Sequence, residues 1–116
     1  MRDYTKFRAF READALVVVV YQATARMPDD ERFGLRAQIR RAAVSVPANL
    51  VEGSARPSTA DYRRFLVNAL GSACECGYLI EVGTRLHQLP DTPATELIDR
   101  YRGLATGLQE ALRRLG

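Results

Sequence analysis

The chain has 116 residues, of which 47% are hydrophobic and 27% are charged, and these proportions are typical of one globular domain with a real core. No segment approaches the roughly 20 consecutive apolar residues of a membrane-spanning helix, so a membrane protein is not expected. The net charge of +3 and the pI of about 9.2 permit a polyanionic partner without requiring one.

The N-terminal region and the two cysteines predict a cytoplasmic protein. Basic residues precede the apolar run Leu16–Val20, as in a secretion signal, but Glu12 and Asp14 interrupt them and the run is too short. Cys74 and Cys76 are two residues apart, a spacing that on a helix directs their side chains apart and disfavours a disulfide. This pattern suits a reducing cytoplasm.

The first predicted helix runs from about Thr5 to Arg26, because apolar residues recur there at spacings of three and four. The alternative is a buried strand at Leu16–Tyr21, since consecutive valines favour strands. No glycine or proline bounds that run, and nothing else in the chain could pair with it. Successive helical positions point in different directions, so the valines cannot all face one core. We therefore expect a subunit interface at Val17, Val18, Val19 and Val20.

A second helix is predicted to start at Asp29–Glu31, with an aspartate as N-cap and acidic residues in the first turn. Pro47 removes a backbone donor and predicts a kink near residues 43–47. Gly53 is the expected C-terminal cap. Arginines repeat every four residues along one flank of this helix, at Arg32, Arg36 and Arg40.

The third helix is predicted to start near Ser58, which forms a capping box with Asp61, and to stop before Leu89-Pro90. Thr92-Pro93 predicts the start of a fourth helix. The apolar residues of that helix alternate steps of four and three, as in a coiled-coil seam, at Leu97, Tyr101, Leu104, Leu108, Ala111 and Leu115. Four helices, short polar connections and no strand signal predict an all-α, antiparallel up-and-down four-helix bundle that spans residues 1–116 as a single domain.

Two segments of the second and third predicted helices carry a recognisable family pattern. The first is matched at Gly34, Leu35, Gln38, Arg40, Arg41, Ala42, Ser45, Asn49, Glu52 and Gly53. The second is matched at Arg64, Phe65, Leu66, Gly71, Ser72 and Glu75, with Tyr62 where phenylalanine is more usual. This combination resembles the four-helix-bundle proteins encoded in the intervening sequences of bacterial 23S ribosomal RNA genes, historically called S23 ribosomal proteins. The resemblance covers nearly the whole chain.

That family is similar to the accessory variability determinant of diversity-generating retroelements, a pentameric bundle that binds a reverse transcriptase and nucleic acid. The resemblance therefore implies a homopentamer. It also makes RNA, DNA, a reverse transcriptase or another nucleoprotein the partners to consider. It does not imply an enzyme.

No residue pattern in the sequence favours catalysis or a metal site. His87 is the only histidine and lies far in sequence from Ser45, Ser72 and Cys74. Two cysteines and one histidine are too few for a four-ligand zinc site, and Thr84 stands three residues before His87, where a di-iron bundle would need glutamate. We expect a non-enzymatic protein with no metal and no cofactor.

Polar residues on the second and third helices allow two interpretations. In the first, Glu52 and Glu75 form a pair of acid and base groups. In the second, which we favour, a buried polar network joins the two helices and fixes their register. Its expected members are Ser45, Asn49, Glu52, Ser72 and Glu75, together with Arg40 or Arg41.

A set of arginines is the candidate surface for nucleic acid or another partner, and we expect it to cluster around the kink and the connection after Gly53. Its members are Arg32, Arg36, Arg40, Arg41, Arg56, Arg63 and Arg64. Nucleic-acid binding largely neutralises phosphates, and oligomer symmetry would repeat the patch. Few aromatic residues are interleaved, so binding would follow the backbone rather than the base sequence.

Two alternatives to nucleic-acid binding remain open. The arginines are equally consistent with a solvated face that forms ion pairs between subunits. The whole protein is also consistent with a purely structural or protein-interaction module, which recruits a protein partner without binding nucleic acid.

Overall fold

The computed structural model describes residues 1–28 and 34–116 and shows a bundle of four α-helices. The helices are α1 (Arg8–Thr24), α2 (Leu35–Ser54), α3 (Thr59–Arg85) and α4 (Asp91–Leu115), and a short 3-10 turn at Tyr4–Lys6 precedes α1. No strand occurs in the two described stretches, and the valine-rich run lies inside α1. The predicted all-α class is therefore confirmed. The predicted start of the second helix at Asp29–Glu31 lies outside the described residues.

Neighbouring helices run in opposite directions, as three contacts between the start of one helix and the end of its neighbour show. The contacts are the Arg2 amide with the Ser54 carbonyl (3.0 Å), the Gly53 backbone with the Phe65 side chain, and the Arg63 guanidinium with the Leu112 carbonyl (3.1 Å). Helix α4 returns to α1, which lies between α2 and α4 and diagonally across the bundle from α3. The chain is therefore an up-and-down bundle.

Apolar side chains at spacings of three and four on each helix form the core. In α1 they are Ala9, Ala13, Leu16 and Val20, and in α4 they are Ala94, Leu97, Leu104, Leu108 and Leu112 with Tyr101. The predicted seam of α4 is therefore correct as far as Leu108. Beyond it, Leu112 is buried while Ala111 and Leu115 are only half-buried, because a further step of four keeps the side chain on the same face.

The four consecutive valines of α1 have different environments, as expected on a helix. Val20 has no exposed surface and packs in the core, so it is not available to a second subunit, and its assignment to an interface is corrected. Val18 is 59% exposed, whereas Val17 and Val19 are half-buried. The interface hypothesis therefore narrows to the three outer valines, of which Val18 is the most exposed.

The end of α2 differs from its prediction. The helix continues through Gly53 to Ser54, so Gly53 is not a C-terminal cap. A Cβ atom added at Gly53 would lie 2.7 Å from the Cβ atom of Phe65, which is closer than such atoms approach each other. Glycine is required here because the backbone of α2 passes against the side chain of Phe65. Pro47 also lies inside α2, and it is buried.

Helices α3 and α4 differ in how their N-termini are capped. The Ser58 hydroxyl accepts a hydrogen bond from the Asp61 amide at 3.1 Å, so the predicted cap of α3 is present. In contrast, α4 begins at Asp91, and no side chain caps its N-terminus. Thr92 is therefore already helical and is not the predicted cap. Pro93 is tolerated because amides in the first helical turn have no partner within the helix.

By length and composition alone α3 is apolar enough to cross a membrane, contrary to the expectation from the sequence. Residues on one side of the helix, including Leu66, Ala69 and Ile80, are buried in the bundle. The central helix of a bundle has the same composition, so this feature does not by itself indicate a membrane protein.

Two titratable side chains are buried between α3 and α4. Burial raises the pKa of the Cys76 thiol to about 11, and it raises the pKa of the Tyr101 hydroxyl further above its ordinary range. The thiol donates to the Ile39 carbonyl at 3.8 Å. The Tyr101 hydroxyl lies close to that thiol, and no hydrogen-bond partner for it is found among the described residues. Both groups are neutral at physiological pH, so Cys76 is an inert core residue.

Alkaline pH is expected to destabilise the fold through Cys76. Its folded pKa of about 11 exceeds the ordinary value of 9.0, so the folded chain keeps the proton longer than the unfolded chain. The contribution is fully present below pH 9 and is lost as the pH rises towards 11. The loss should be at most about 2 to 3 kcal/mol.

Urea denaturation on either side of this pH window measures the effect. The decrease in unfolding free energy should be smaller in Cys76→Ala than in the wild type. An equal decrease in the two proteins would show that Cys76 is not responsible.

Candidate nucleic-acid interface

The arginines of the predicted surface form two groups instead of one cluster. Arg36, Arg40 and Arg41 lie in the first half of α2, whereas the second group, Arg56, Arg63 and Arg64, lies at the opposite end of the bundle. About 21 Å of helix separates Arg40 from Ser54, the last residue of α2, at 1.5 Å per residue, and Arg56 lies beyond it. Arg32 lies outside the described residues. The two groups therefore have to be considered separately.

Most of the first group is engaged within the chain. The Arg40 guanidinium donates to the Thr24 hydroxyl (2.9 Å) and the Tyr21 carbonyl (3.1 Å), and it lies 4.4 Å from the centre of the Tyr21 ring. Arg36 donates to a backbone carbonyl of the preceding connection. Arg40 therefore joins α2 to α1, and Arg36 joins α2 to the connection after α1. Neither side chain is part of a network with α3. Arg41 is exposed and has no hydrogen bond or ion pair with any described residue.

The second group surrounds an aromatic ring at the α2–α3 connection. The guanidinium groups of Arg56 and Arg64 lie 4.8 Å and 4.7 Å from the centre of the Phe65 ring. Arg56 also pairs with Glu52 at 3.0 Å, and Arg64 with Asp61 at 3.6 Å. All four charged side chains are at least a third exposed, so these ion pairs are weak and can exchange for other partners.

The start of the chain and the end of α4 add to the second group. The Arg2 guanidinium lies 3.9 Å from the centre of the Tyr62 ring and donates to the Thr59 hydroxyl at 3.4 Å. Partial burial raises the pKa of Tyr62, although the charge of Arg2 opposes the increase, and the phenol is neutral at physiological pH. Arg63 donates to the Leu112 carbonyl, which brings the last turn of α4 to this end.

We call this region the basic end, and it comprises residues 1–12, 52–64 and 110–116. Its basic residues are Arg2, Lys6, Arg8, Arg11, Arg56, Arg63, Arg64, Arg113 and Arg114, and its acidic residues are Asp3, Glu12, Glu52, Asp61 and Glu110. Nine basic and five acidic residues give this end a net charge of +4, whereas the rest of the chain sums to −1, so positive charge is concentrated at one end of the bundle. Two helix N-termini and two C-termini meet here, so their dipoles largely cancel and the side chains determine the potential.

The terminal residues of the basic end were missed in the sequence, because they are far from α2 and α3 along the chain. They are Arg2, Lys6, Arg8, Arg11, Arg113 and Arg114. Their position could have been predicted from the topology, since an up-and-down bundle of four helices places both chain termini beside the connection between its second and third helices.

Several cations of the basic end are available to a ligand. Lys6, Arg8 and Arg114 are exposed, and their side chains make no hydrogen bond or ion pair with the described part of the chain. Phe65 and Tyr62 are covered by guanidinium groups and offer no open platform for base stacking. The described residues also contain no cluster of three metal-ligating side chains. The exposed cations are therefore suited to neutralising phosphates, whereas the covered rings are not open for base stacking.

The polar network between α2 and α3 is smaller than predicted. The Ser45 and Ser72 hydroxyls lie 2.9 Å apart, and the Asn49 amide donates to the Ser45 carbonyl (2.8 Å) and hydroxyl (3.0 Å). Glu52 and Glu75 are exposed, and Glu75 has no hydrogen bond to any residue that the structure describes. Both glutamates therefore lie outside the network, because water solvates a carboxylate without the partners that burial would require.

These features define an up-and-down four-helix bundle with one basic end and a small neutral polar contact between its central helices. The chain belongs to the 23S rRNA-intervening sequence protein family, whose model matches residues 5–110. The predicted family resemblance is therefore confirmed.

A solved structure shares the fold. It is the crystal structure of a protein with unknown function from the S23 ribosomal protein family of Bacteroides thetaiotaomicron, with 22% sequence identity, 94% of each chain covered and a TM-score of 0.69. At this identity the similarity shows a common fold. No curated protein matches the chain.

Proposed function

We propose that this protein is a non-enzymatic, oligomeric bundle that contacts the phosphate backbone of RNA or DNA, free or within a nucleoprotein partner, through its basic end. The observation that supports this proposal is the concentration of positive charge where both chain termini meet the α2–α3 connection. The two free cysteines suit a reducing cytoplasm, where we place the protein.

Exposed apolar side chains support assembly of the bundle. One outward stripe on α2 and another on α3 follow steps of four, three and four residues, the spacing of a helix–helix seam. The stripes are Val44, Ala48 and Val51 on α2 with Ala55 just after its end, and Val67, Gly71, Cys74 and Tyr78 on α3. Val44, Val51, Val67 and Tyr78 are 40%, 37%, 50% and 57% exposed. Large apolar side chains grouped on a surface are typical of a protein interface.

The two stripes lie on different sides of the subunit. Val44 follows Arg40 by one turn, and Arg40 contacts α1, so the α2 stripe adjoins α1. Cys74 and Tyr78 line a shallow cavity together with Ile98 of α4, so the α3 stripe adjoins α4. A ring requires two different surfaces that fit each other. We therefore propose that the α2 stripe of one subunit packs against the α3 stripe of the next.

The resemblance to a pentameric bundle makes five the proposed number of subunits. A ring formed through lateral faces would place every basic end on the same rim, because the basic end lies at one end of the helices. The phosphate-binding surface of one subunit would then be repeated around the rim, and several weak contacts would act together.

A salt titration tests nucleic-acid binding. Fluorescence anisotropy of a labelled single-stranded RNA of about 20 nucleotides should show binding, with a slope of log K against log salt of about −3 or steeper, since four or more phosphates would be neutralised. DNA of the same sequence should bind within about threefold, because the contacts are to the backbone. An uncharged methylphosphonate strand is the control and should not bind.

Absence of RNA and DNA binding at low salt would contradict the proposal. If the oligomer were intact in that experiment, the result would favour a module that recruits a protein partner without nucleic acid.

A further inference from the structure

An open groove of about 1030 Å³ runs between the first turns of α1 and the second half of α4. Its floor is apolar and includes Phe7, Ala9, Leu104 and Ala111. The α4 side of the groove extends over Arg100–Arg114, about 21 Å of helix, which is the length of about four turns. The groove is therefore long enough to hold a helical segment of another chain.

Positive charge lines both walls of the groove. Lys6, Arg8 and Arg11 lie on the α1 side, and Arg100 and Arg114 lie on the α4 side. The acidic residues that line it are already paired, because Glu12 binds Arg100 at 2.9 Å and Glu110 binds Arg113. Lys6, Arg8 and Arg114 have no such partner among the described residues. An occupant with negative charge along both flanks would match these walls.

Two glycines lie one turn apart on α4 within the groove, at Gly103 and Gly107. Glycine inside a helix is unfavourable relative to alanine, so its presence needs a packing reason. At Gly53 and Gly83 that reason is a neighbouring side chain 2.7 Å from the place of a Cβ atom. At Gly103 and Gly107 no atom lies within 4 Å of that place. The chain itself gives no reason for them, whereas a docked helix could approach this bare backbone closely.

We propose that the groove binds an acidic amphipathic helix of a protein partner. Its apolar face would cover the floor and pack over the glycines, and glutamates or aspartates on its flanks would meet the basic walls. A sugar–phosphate backbone would satisfy the walls but would leave the apolar floor without a matching surface. The amphipathic helix is the occupant that satisfies both.

The groove can be separated experimentally from the proposed nucleic-acid surface. It shares Lys6, Arg8, Arg11 and Arg114 with the basic end, whereas Arg2, Arg56, Arg63, Arg64 and Arg113 do not line it. Filling the floor while leaving every charge in place therefore tests the groove alone. Gly103→Leu with Gly107→Leu does this, because both positions open into free space and the fold can accept the larger side chains.

The test uses the full chain and a fluorescein-labelled synthetic helix of about 18 residues, with leucine and alanine on one face and glutamate on both flanks. The wild type should bind this peptide, and the double leucine variant should bind it at least about tenfold more weakly. Gln109→Leu adds a leucine to α4 outside the groove and should leave the affinity unchanged. The affinity for the single-stranded RNA should change less than about twofold in both variants.

A second peptide with the same composition in scrambled order controls for simple charge attraction. Equal binding of the two peptides would overturn the proposal, as would no peptide binding at low salt or unchanged binding in the double leucine variant. A loss of RNA affinity in that variant without a loss of peptide affinity would also overturn it and would assign the groove to nucleic acid. Circular dichroism confirms that each variant is folded.

Discussion

Gly53→Ala is expected to destabilise the bundle by about 1 to 3 kcal/mol, the usual effect of overpacking. The new Cβ atom would lie 2.7 Å from the Phe65 Cβ atom and 3.5 Å from Cδ1 of Tyr62. The Cβ atom of Phe65 is attached directly to the α3 backbone, so no change of rotamer moves it away. The two helices must separate instead, and the Ser45–Ser72 hydrogen bond would be strained with them.

The same substitution at Gly107 is expected to have the opposite sign. A methyl group there meets no atom within 4 Å, and alanine is the better helix former, so Gly107→Ala should stabilise the fold by about 0.5 to 1 kcal/mol. Thermal or urea unfolding at one fixed protein concentration measures both variants, because assembly makes the melting temperature depend on concentration. Equal stability of Gly53→Ala and Gly107→Ala would contradict the close approach of α2 and α3.

Val44→Asp and Tyr78→Asp are each expected to convert the oligomer into single chains. Each places an unpaired charge in the proposed apolar contact, and burying such a charge costs several kcal/mol. Self-association should therefore weaken on the order of 100-fold or more. The side chains are 40% and 57% exposed within the subunit, so the fold itself should survive both substitutions.

Light scattering coupled to size-exclusion chromatography measures the mass. The wild type should have five times the 12.9 kDa of one chain, and the two variants should have the mass of one chain. Asn68→Asp adds the same charge to α3 at an exposed position outside the stripe and should leave the oligomer intact. A wild type with the mass of one chain would contradict the assembly. Loss of the oligomer in Val18→Asp but not in Val44→Asp would return the interface to the valines of α1.

Most of the fold could be predicted from the sequence, because it depends on local periodicity. The helical assignment of the valine run was correct because nothing bounded or could pair with a strand there. Gly53 was misassigned because its role depends on Phe65, a residue of the next helix, and not on the local sequence. Thr92 was misassigned because a threonine before a proline is a strong cap signal, yet the helix begins earlier, at Asp91.

Less of the candidate site could be predicted, because it depends on which side chains are exposed and on which groups they contact in the folded chain. The four-residue spacing placed Arg36 and Arg40 correctly on one flank, but it did not show that this flank faces carbonyl groups of α1 and its connection. The polar pattern likewise indicated Ser45 and Ser72 correctly, while Glu75 proved to be exposed. Amino-acid identity specifies hydrogen-bonding capacity, whereas the packing of the helices selects which groups meet.

The central claim is that the basic end binds phosphates, and two matched triple variants test it most directly. Each exchanges three exposed arginines for glutamine and so removes the same charge. The basic-end variant changes Arg63, Arg64 and Arg113, and the control changes Arg26, Arg41 and Arg85, which lie towards the opposite end. Both are compared with the wild type by anisotropy of the single-stranded RNA over a range of salt concentrations.

We expect the basic-end variant to bind the RNA at least about tenfold more weakly and to have a salt slope that is shallower by about 2, since about 0.7 is lost for each phosphate contact. The control variant should stay within about threefold of the wild type, with its slope unchanged. Equal weakening by the two variants, with equal changes in slope, would show only a general attraction between a basic protein and a polyanion and would contradict a binding surface at the basic end.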